Sequence, residues 1–172
     1  MPGRQELIQK RLQDEGRKTA AYFRGLSDVD FGQTVYTTGP QWRVRDVLAH
    51  FVSAEQTLHF YGRDVLAGGS GAPDDFVIDE FNATQVAGLR DVHPALLVEQ
   101  FETARGATAA MVAGMADADF DRIGRHPWFG RVPLEQMLKL VYRHNMLHER
   151  DVRRALETGQ AVAHVDAQPS AG

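Results

Sequence analysis

The sequence predicts an all-α protein, a four-helix bundle with long crossover connections. Three observations support this prediction: apolar residues recur at helical spacing in several stretches, glycine and proline clusters separate these stretches, and almost no segment alternates like a strand. The 172 residues are enough for one buried core. We expect a single bundle domain over residues 1–158 and a small, polar tail without a core pattern over residues 159–172.

Four segments have the apolar periodicity of long helices, and lengths near 20 residues suit a bundle. They run from Gln5 to Leu26, from near Trp42 to Gly68, from Pro94 to about Met115, and from Pro133 to Gly159. Phe76 to Arg90 is also helix-compatible, so the third unit is one bent helix or two.

The connections between these helices are uneven. Residues 27–41 predict a loop with a short extended piece, and the sequence GRHPWFG from Gly124 to Gly130 predicts a second loop. Such long connections allow crossovers, so a simple up-down order does not follow.

Composition excludes several classes of protein. Without cysteine, any metal must be held by imidazole, carboxylate or water. A formal charge of -4 argues against nucleic-acid binding, which needs clustered Lys and Arg. The charged start MPGRQELIQK is unlike a signal peptide, and no segment reaches the roughly 20 apolar residues of a membrane span. The sequence therefore predicts a cytoplasmic protein without nucleic-acid or membrane partners.

The last predicted helix carries two histidines four residues apart. His144 and His148 therefore project from one face and can converge on one ion. The helix lacks the glutamate that follows the first histidine of zincins, because Asn145 stands there. Asp151 is interpreted either as a hydrogen-bond partner of a ring N–H or as a solvated acid.

A third histidine, His50, lies on the second predicted helix between the apolar residues Val47 and Phe51. Spacing alone favours a core histidine at this position. Asp46, one turn earlier, is interpreted as stabilising the helix N-terminus, with orientation of His50 as the alternative.

Four motifs together resemble those of the DinB-like superfamily of metal-binding four-helix bundles. They are W-x-V-x-D-V-L-A-H from Trp42, D-E-F-N-A-x-x-V from Asp79, H-P-W-F-G from His126 and Y-x-H-x-x-x-H from Tyr142. The resemblance extends to Leu156 and implies that His50, His144 and His148 bind a divalent metal. Arg43 and Pro133 replace a usual Ser or Thr, which affects helix capping rather than the ligands.

Within that superfamily the sequence looks most similar to the mycothiol-dependent maleylpyruvate isomerase-like and colibactin-protection-like branches. Asn82 and Trp128 match recurrent motif positions there, which implies that both contact substrate. Trp128 and Phe129 are interpreted either as cover for the core or as pocket wall. His126 is expected to be a structural loop histidine, with an approach to the metal as the alternative, and His164 is expected to be solvated.

Three imidazole ligands leave coordination positions open, as in catalytic sites. The resemblance implies a thiol-dependent S-transferase or isomerase that acts on a small electrophile with a low-molecular-weight thiol such as mycothiol or bacillithiol. The alternatives are a non-catalytic stress or ligand-binding protein and a metal-dependent hydrolase. Zinc, nickel and iron all suit imidazole, and the catalytic residues beyond the ligands stay unassigned. Spare apolar residues such as Phe60 and Phe81, together with the resemblance, suggest a homodimer.

Overall fold

The computed structural model describes residues 1–164. In this part of the chain, no helix has the length and apolar character needed to cross a membrane. The elements follow in the order α1 (Arg4–Arg24), α2 (Asp28–Gly32), α3 (Val44–Leu66), α4 (Ile78–Gly88), α5 (Pro94–Ala113), a 3₁₀ helix (Asp117–Asp121), β1 (Ile123–His126), β2 (Gly130–Pro133) and α6 (Leu134–Thr158).

The four long helices, α1, α3, α5 and α6, form a bundle. α1 packs against α5 and α6, and α3 packs against the same two helices. α1 and α3 therefore stand at opposite corners, as do α5 and α6. The connections from α1 to α3 and from α5 to α6 each cross the bundle diagonally, which confirms the predicted four-helix bundle with crossover connections. The third predicted unit is two helices, α4 and α5.

The connection between α1 and α3 contains more structure than a loop. Ser27 Oγ accepts the backbone N–H of Asp30, and the Asp30 carboxylate accepts the backbone N–H of Ser27, which caps the short helix α2. The predicted extended piece follows. Its Val35 N–H donates to the Trp42 carbonyl at 2.8 Å, which holds the piece against the start of α3.

The same extended piece pairs with the chain after α6. Val162 N–H donates to the Val35 carbonyl at 2.8 Å, and Thr37 N–H donates to the Val162 carbonyl at 2.9 Å. The Val162 side chain also packs against the core. The tail, whose sequence shows no core pattern, therefore contacts the core at Val162, because a single apolar residue can pack without giving a periodic signal. Residues 165–172 of the predicted tail lie outside the described part.

The segment Gly124 to Gly130, predicted as a loop, is a β-hairpin. β1 and β2 pair antiparallel from Ile123–Pro133 to His126–Gly130. A Cβ at Gly124 would lie 2.2 Å from the Val65 side chain, so glycine is what lets β1 pack closely on α3. Strands of four residues are too short to show an alternating pattern, which explains the error.

The start of each histidine-bearing helix is fixed without a Ser or Thr cap. At α3 the Asp46 carboxylate accepts the backbone N–H of Arg43 at 2.9 Å, which confirms its predicted role at the helix N-terminus. At α6 the backbone N–H of Leu134 donates to the Arg122 carbonyl at 2.8 Å, next to the hairpin. α6 ends at Gly159, whose φ of 68° is the left-handed conformation common after helices.

Candidate metal centre

Three histidine side chains converge between α3 and α6. His50 comes from α3, and His144 and His148 lie on successive turns of α6. One ligand nitrogen from each lies within 4.8 Å of the others, and Nε2 of His50 is 2.9 Å from Nε2 of His144. Two nitrogens on one tetrahedral zinc ion stand about 3.3 Å apart. The structure thus brings together all three predicted ligands in a group that could hold a metal ion.

The chemistry of these rings fits a divalent transition metal. Burial lowers the pKa of His50 and His148 well below the usual range, and it lowers the pKa of His144 to about 4. The rings are therefore neutral at pH 7 and offer lone pairs to a cation. Nδ1 of His50 is buried and has no hydrogen-bond partner within residues 1–164. His144 and His148 are partly buried, whereas His50 is buried.

Tyr36 fixes the orientation of His148. Its hydroxyl lies 2.6 Å from Nδ1 of His148 and donates to Asp151 Oδ2 at 3.1 Å. The hydroxyl oxygen can then accept the Nδ1–H of His148, which leaves Nε2 free to bind a metal. Burial, followed by the negative charge of Asp151, raises the pKa of Tyr36 and keeps the hydroxyl protonated. Asp151 therefore reaches the histidine through Tyr36 rather than directly.

A second buried chain of polar groups begins at His144. Its Nδ1 lies 3.2 Å from Oδ1 of Asn145, whose amide donates to Glu55 Oε1 at 3.1 Å. Arg105 donates to both oxygens of Glu55, from Nε at 2.9 Å and from Nη2 at 2.5 Å, and to the Leu12 carbonyl at 3.0 Å. This arrangement favours a proton on Nδ1 of His144 and leaves its Nε2 for a metal. It also joins all four long helices.

Aromatic rings enclose the three histidines. Trp42 packs on His50 with ring centroids 4.7 Å apart, and Phe51 lies 6.2 Å from His144 and 6.1 Å from His148. Such packing restricts the rotamers of the histidines and excludes part of the solvent.

The prediction that His164 is solvated is wrong. Its ring lies 4.7 Å from Tyr36 and 5.8 Å from His148, because Val162 pairs with the extended piece that carries Tyr36. Electrostatic repulsion from His164 is one of the smaller contributions that lower the pKa of His148. The segment after α6 therefore borders the candidate metal centre.

The two residues predicted to contact substrate lie on other elements. Asn82 is half-buried on α4, and Trp128 is half-buried in the hairpin turn. Their contact with substrate stays a prediction. His126 has the expected structural role, since its Nδ1 accepts the backbone N–H groups of Trp128 at 3.0 Å and Phe129 at 3.2 Å. Phe129 packs against a cluster of buried apolar residues that includes Met137, as expected of a residue that covers the core.

Sequence reasoning missed several residues of the site. Glu55 and Arg105 could have been noticed as charged residues within apolar helical stretches, and Asn145 as the neighbour of His144. Tyr36 has no such signal, because it lies in the segment 27–41, which the sequence predicts as a loop with a short extended piece.

Comparison with known proteins agrees with this architecture. The sequence profile of the DinB superfamily matches residues 11–152. YfiT from Bacillus subtilis, described as a probable metal-dependent hydrolase with an unusual four-helix bundle topology, is similar in structure with a TM-score of 0.73 and 16% identity. That comparison covers 91% of this chain and 89% of YfiT.

Two other solved structures share the fold. A mycothiol-dependent maleylpyruvate isomerase has a TM-score of 0.73 and 15% identity over 98% of this chain, which spans only 65% of the isomerase. An uncharacterised protein from Escherichia coli has a TM-score of 0.71 and 12% identity over 94% of this chain and 98% of its own. No match was found among proteins with curated functions. Because the profile covers most of the sequence and the bundle agrees with it, the chain belongs to the DinB superfamily.

Proposed function

We propose that His50, His144 and His148 bind one divalent metal ion, and that the protein is a thiol-dependent S-transferase or isomerase acting on a small electrophile. The observation that carries the proposal is the convergence of three neutral imidazoles whose ligand nitrogens lie within 4.8 Å of one another. A metal at this position would bind the thiol of a low-molecular-weight cosubstrate as thiolate and lower its pKa. The chain has no cysteine, so the reactive sulfur would come from the cosubstrate.

The residues around the histidines support thiol chemistry over hydrolysis. Hydrolysis benefits from a carboxylate that takes a proton from water. The two acids that connect to the histidines are both engaged, Asp151 with the Tyr36 hydroxyl and Glu55 with Arg105. A thiol needs less help because its ordinary pKa of about 8.5 is already near neutral. The similarity to a mycothiol-dependent isomerase supports the same reading.

Hydrolysis is the second candidate, favoured by the similarity to YfiT, a probable metal-dependent hydrolase. The two functions differ in the fate of the electrophile. Incubation with 1-chloro-2,4-dinitrobenzene, with and without a small thiol, should give the thioether only when thiol is present. Formation of the corresponding phenol at the same rate with and without the thiol would favour hydrolysis.

The metal itself is tested by elemental analysis of untagged protein. We expect about one ion per chain in the wild type and none in His50→Ala or His148→Ala, with helical content preserved. His59→Ala is the matched control, because His59 lies on α3 with His50 but contacts Thr108 rather than the cluster. Wild-type protein without metal, or His50→Ala with full metal, would contradict the three-histidine metal site. Either result would favour the alternative of a non-catalytic stress or ligand-binding protein.

A further inference from the structure

A fourth imidazole lies next to the three predicted ligands. The ring centroid of His164 is 5.8 Å from that of His148, with 30° between the ring planes, and 4.7 Å from that of Tyr36. Within the described residues, the group that could hold a metal consists of His50, His144 and His148. Bonds between zinc and histidine nitrogen are about 2.0–2.1 Å long. His164 therefore lies outside the ligand set, at a distance that suits contact with a group bound to the metal.

Main-chain hydrogen bonds hold His164 beside the site. Val162 forms a parallel bridge with Tyr36, through backbone hydrogen bonds of 2.8 and 2.9 Å to the neighbouring residues of the extended piece. The backbone N–H of His164 then donates to Oγ1 of Thr38 at 3.0 Å. The place of residue 164 next to the metal centre is therefore set by the backbone rather than by the imidazole itself.

The packing of the His164 ring on a turn determines which of its nitrogens points away from that turn. A Cβ on Gly39, whose φ is 65°, would lie 3.4 Å from Nδ1 and 3.5 Å from Cγ of His164. Nε2 is the ring atom opposite the Cγ–Nδ1 bond, so it lies at the far end of the ring from Gly39. His164 is partly buried, so part of the residue is exposed to solvent.

We propose that Nε2–H of His164 donates a hydrogen bond to the sulfur of the thiol cosubstrate at the three-histidine centre, and that the chain after α6 forms one wall of this site. The inference rests on the proposed function, since it assumes that a thiol binds there. An imidazole N–H can donate to an anionic acceptor, and such charge-assisted hydrogen bonds are about twice as strong as neutral ones. His164 is then a residue that binds the cosubstrate, and it is not a metal ligand.

Two substitutions of similar size separate this hydrogen bond from simple packing. His164→Gln places an amide N–H near the position of Nε2, whereas His164→Leu fills a similar volume without a donor. Both variants retain the backbone N–H that donates to Thr38. Leucine would be the better replacement for a ring that only packs on Tyr36. Glutamine would be the better replacement for a hydrogen-bond donor.

The test is titration of the cobalt(II)-loaded protein with 2-mercaptoethanol, followed by the sulfur-to-cobalt absorption band, after metal content has been measured. We expect both variants to hold about one metal ion per chain, as the wild type does. His164→Leu should bind the thiol about 10- to 100-fold more weakly than wild type, with His164→Gln between them. His59→Ala, which changes a histidine outside the cluster, should bind metal and thiol like the wild type.

The possible failures of this experiment have different meanings. Thiol binding by His164→Leu equal to that of wild type would overturn the inference. Equal losses in the two variants, or loss of metal from either, would also overturn it, because packing or support of the metal ligands would then explain the effect. Wild-type protein that holds no metal, or that shows no absorption band with the thiol, would overturn the proposed function itself.

Discussion

Arg105→Met removes the cation that neutralises the buried carboxylate of Glu55. The Glu55 and Arg105 side chains are 1% and 4% exposed, so water cannot take the place of the guanidinium. The carboxylate would lose two hydrogen bonds from Arg105 and keep the one from the Asn145 amide. Breaking a buried ion pair from one side costs about 3–5 kcal/mol. We expect the free energy of unfolding to fall by about that amount, out of a typical total of about 5–15 kcal/mol.

Urea unfolding followed by circular dichroism measures this change, provided that the slope m stays constant. Arg24→Met is the control, because Arg24 also pairs with a glutamate of α5, Glu102, but the two side chains are 51% and 38% exposed. Its effect should be much smaller, since water solvates both groups. The double variant Arg105→Met with Glu55→Leu should recover much of the loss, because no unpaired charge remains. A loss in Arg105→Met no larger than in Arg24→Met would refute the reasoning.

Three further predictions concern the site. Tyr36→Phe removes the hydroxyl that orients His148 and should weaken metal binding about tenfold or more in competition with a chromophoric chelator; unchanged affinity would contradict this role. The pKa of His126 is about 4 when folded and about 6.5 when unfolded, so the unfolded state binds more protons between these values. The stability of the metal-free protein should therefore fall as pH drops from about 6.5 to about 4, less steeply in His126→Asn. Asn82→Ala and Trp128→Ala should weaken electrophile binding in calorimetry while metal content stays constant.

Local patterns were sufficient to predict the long helices. Their amphipathic periodicity, with Pro94 at one start and Gly159 at one end, specifies each helix from its own residues. The pair His144 and His148 was predictable for the same reason, since a single helix fixes its spacing. His50 was assigned as a ligand through the family resemblance, because its local sequence favours a core histidine.

Contacts between distant segments were not predictable from such patterns. Val162 pairs with Val35 in the connection between α1 and α3, and Arg105 pairs with Glu55 across the packed helices α5 and α3, so both contacts depend on tertiary packing. The hairpin of β1 and β2 could not be predicted for another reason, since strands of four residues are too short to establish a period. Tyr36 depends on both effects, because it lies in an extended piece that is held by the chain after α6.

The polar chain through Glu55, Arg105 and Asn145 has a consequence for how this protein can change over evolution. Each of the three side chains has another of the three as its buried hydrogen-bond partner. A substitution at one position therefore lowers the stability of the fold until compensating substitutions occur at the other two. Relatives should therefore have either the complete set or an apolar set at these positions. Mixed combinations should be rare, and the three columns of an alignment should covary although they belong to three different helices.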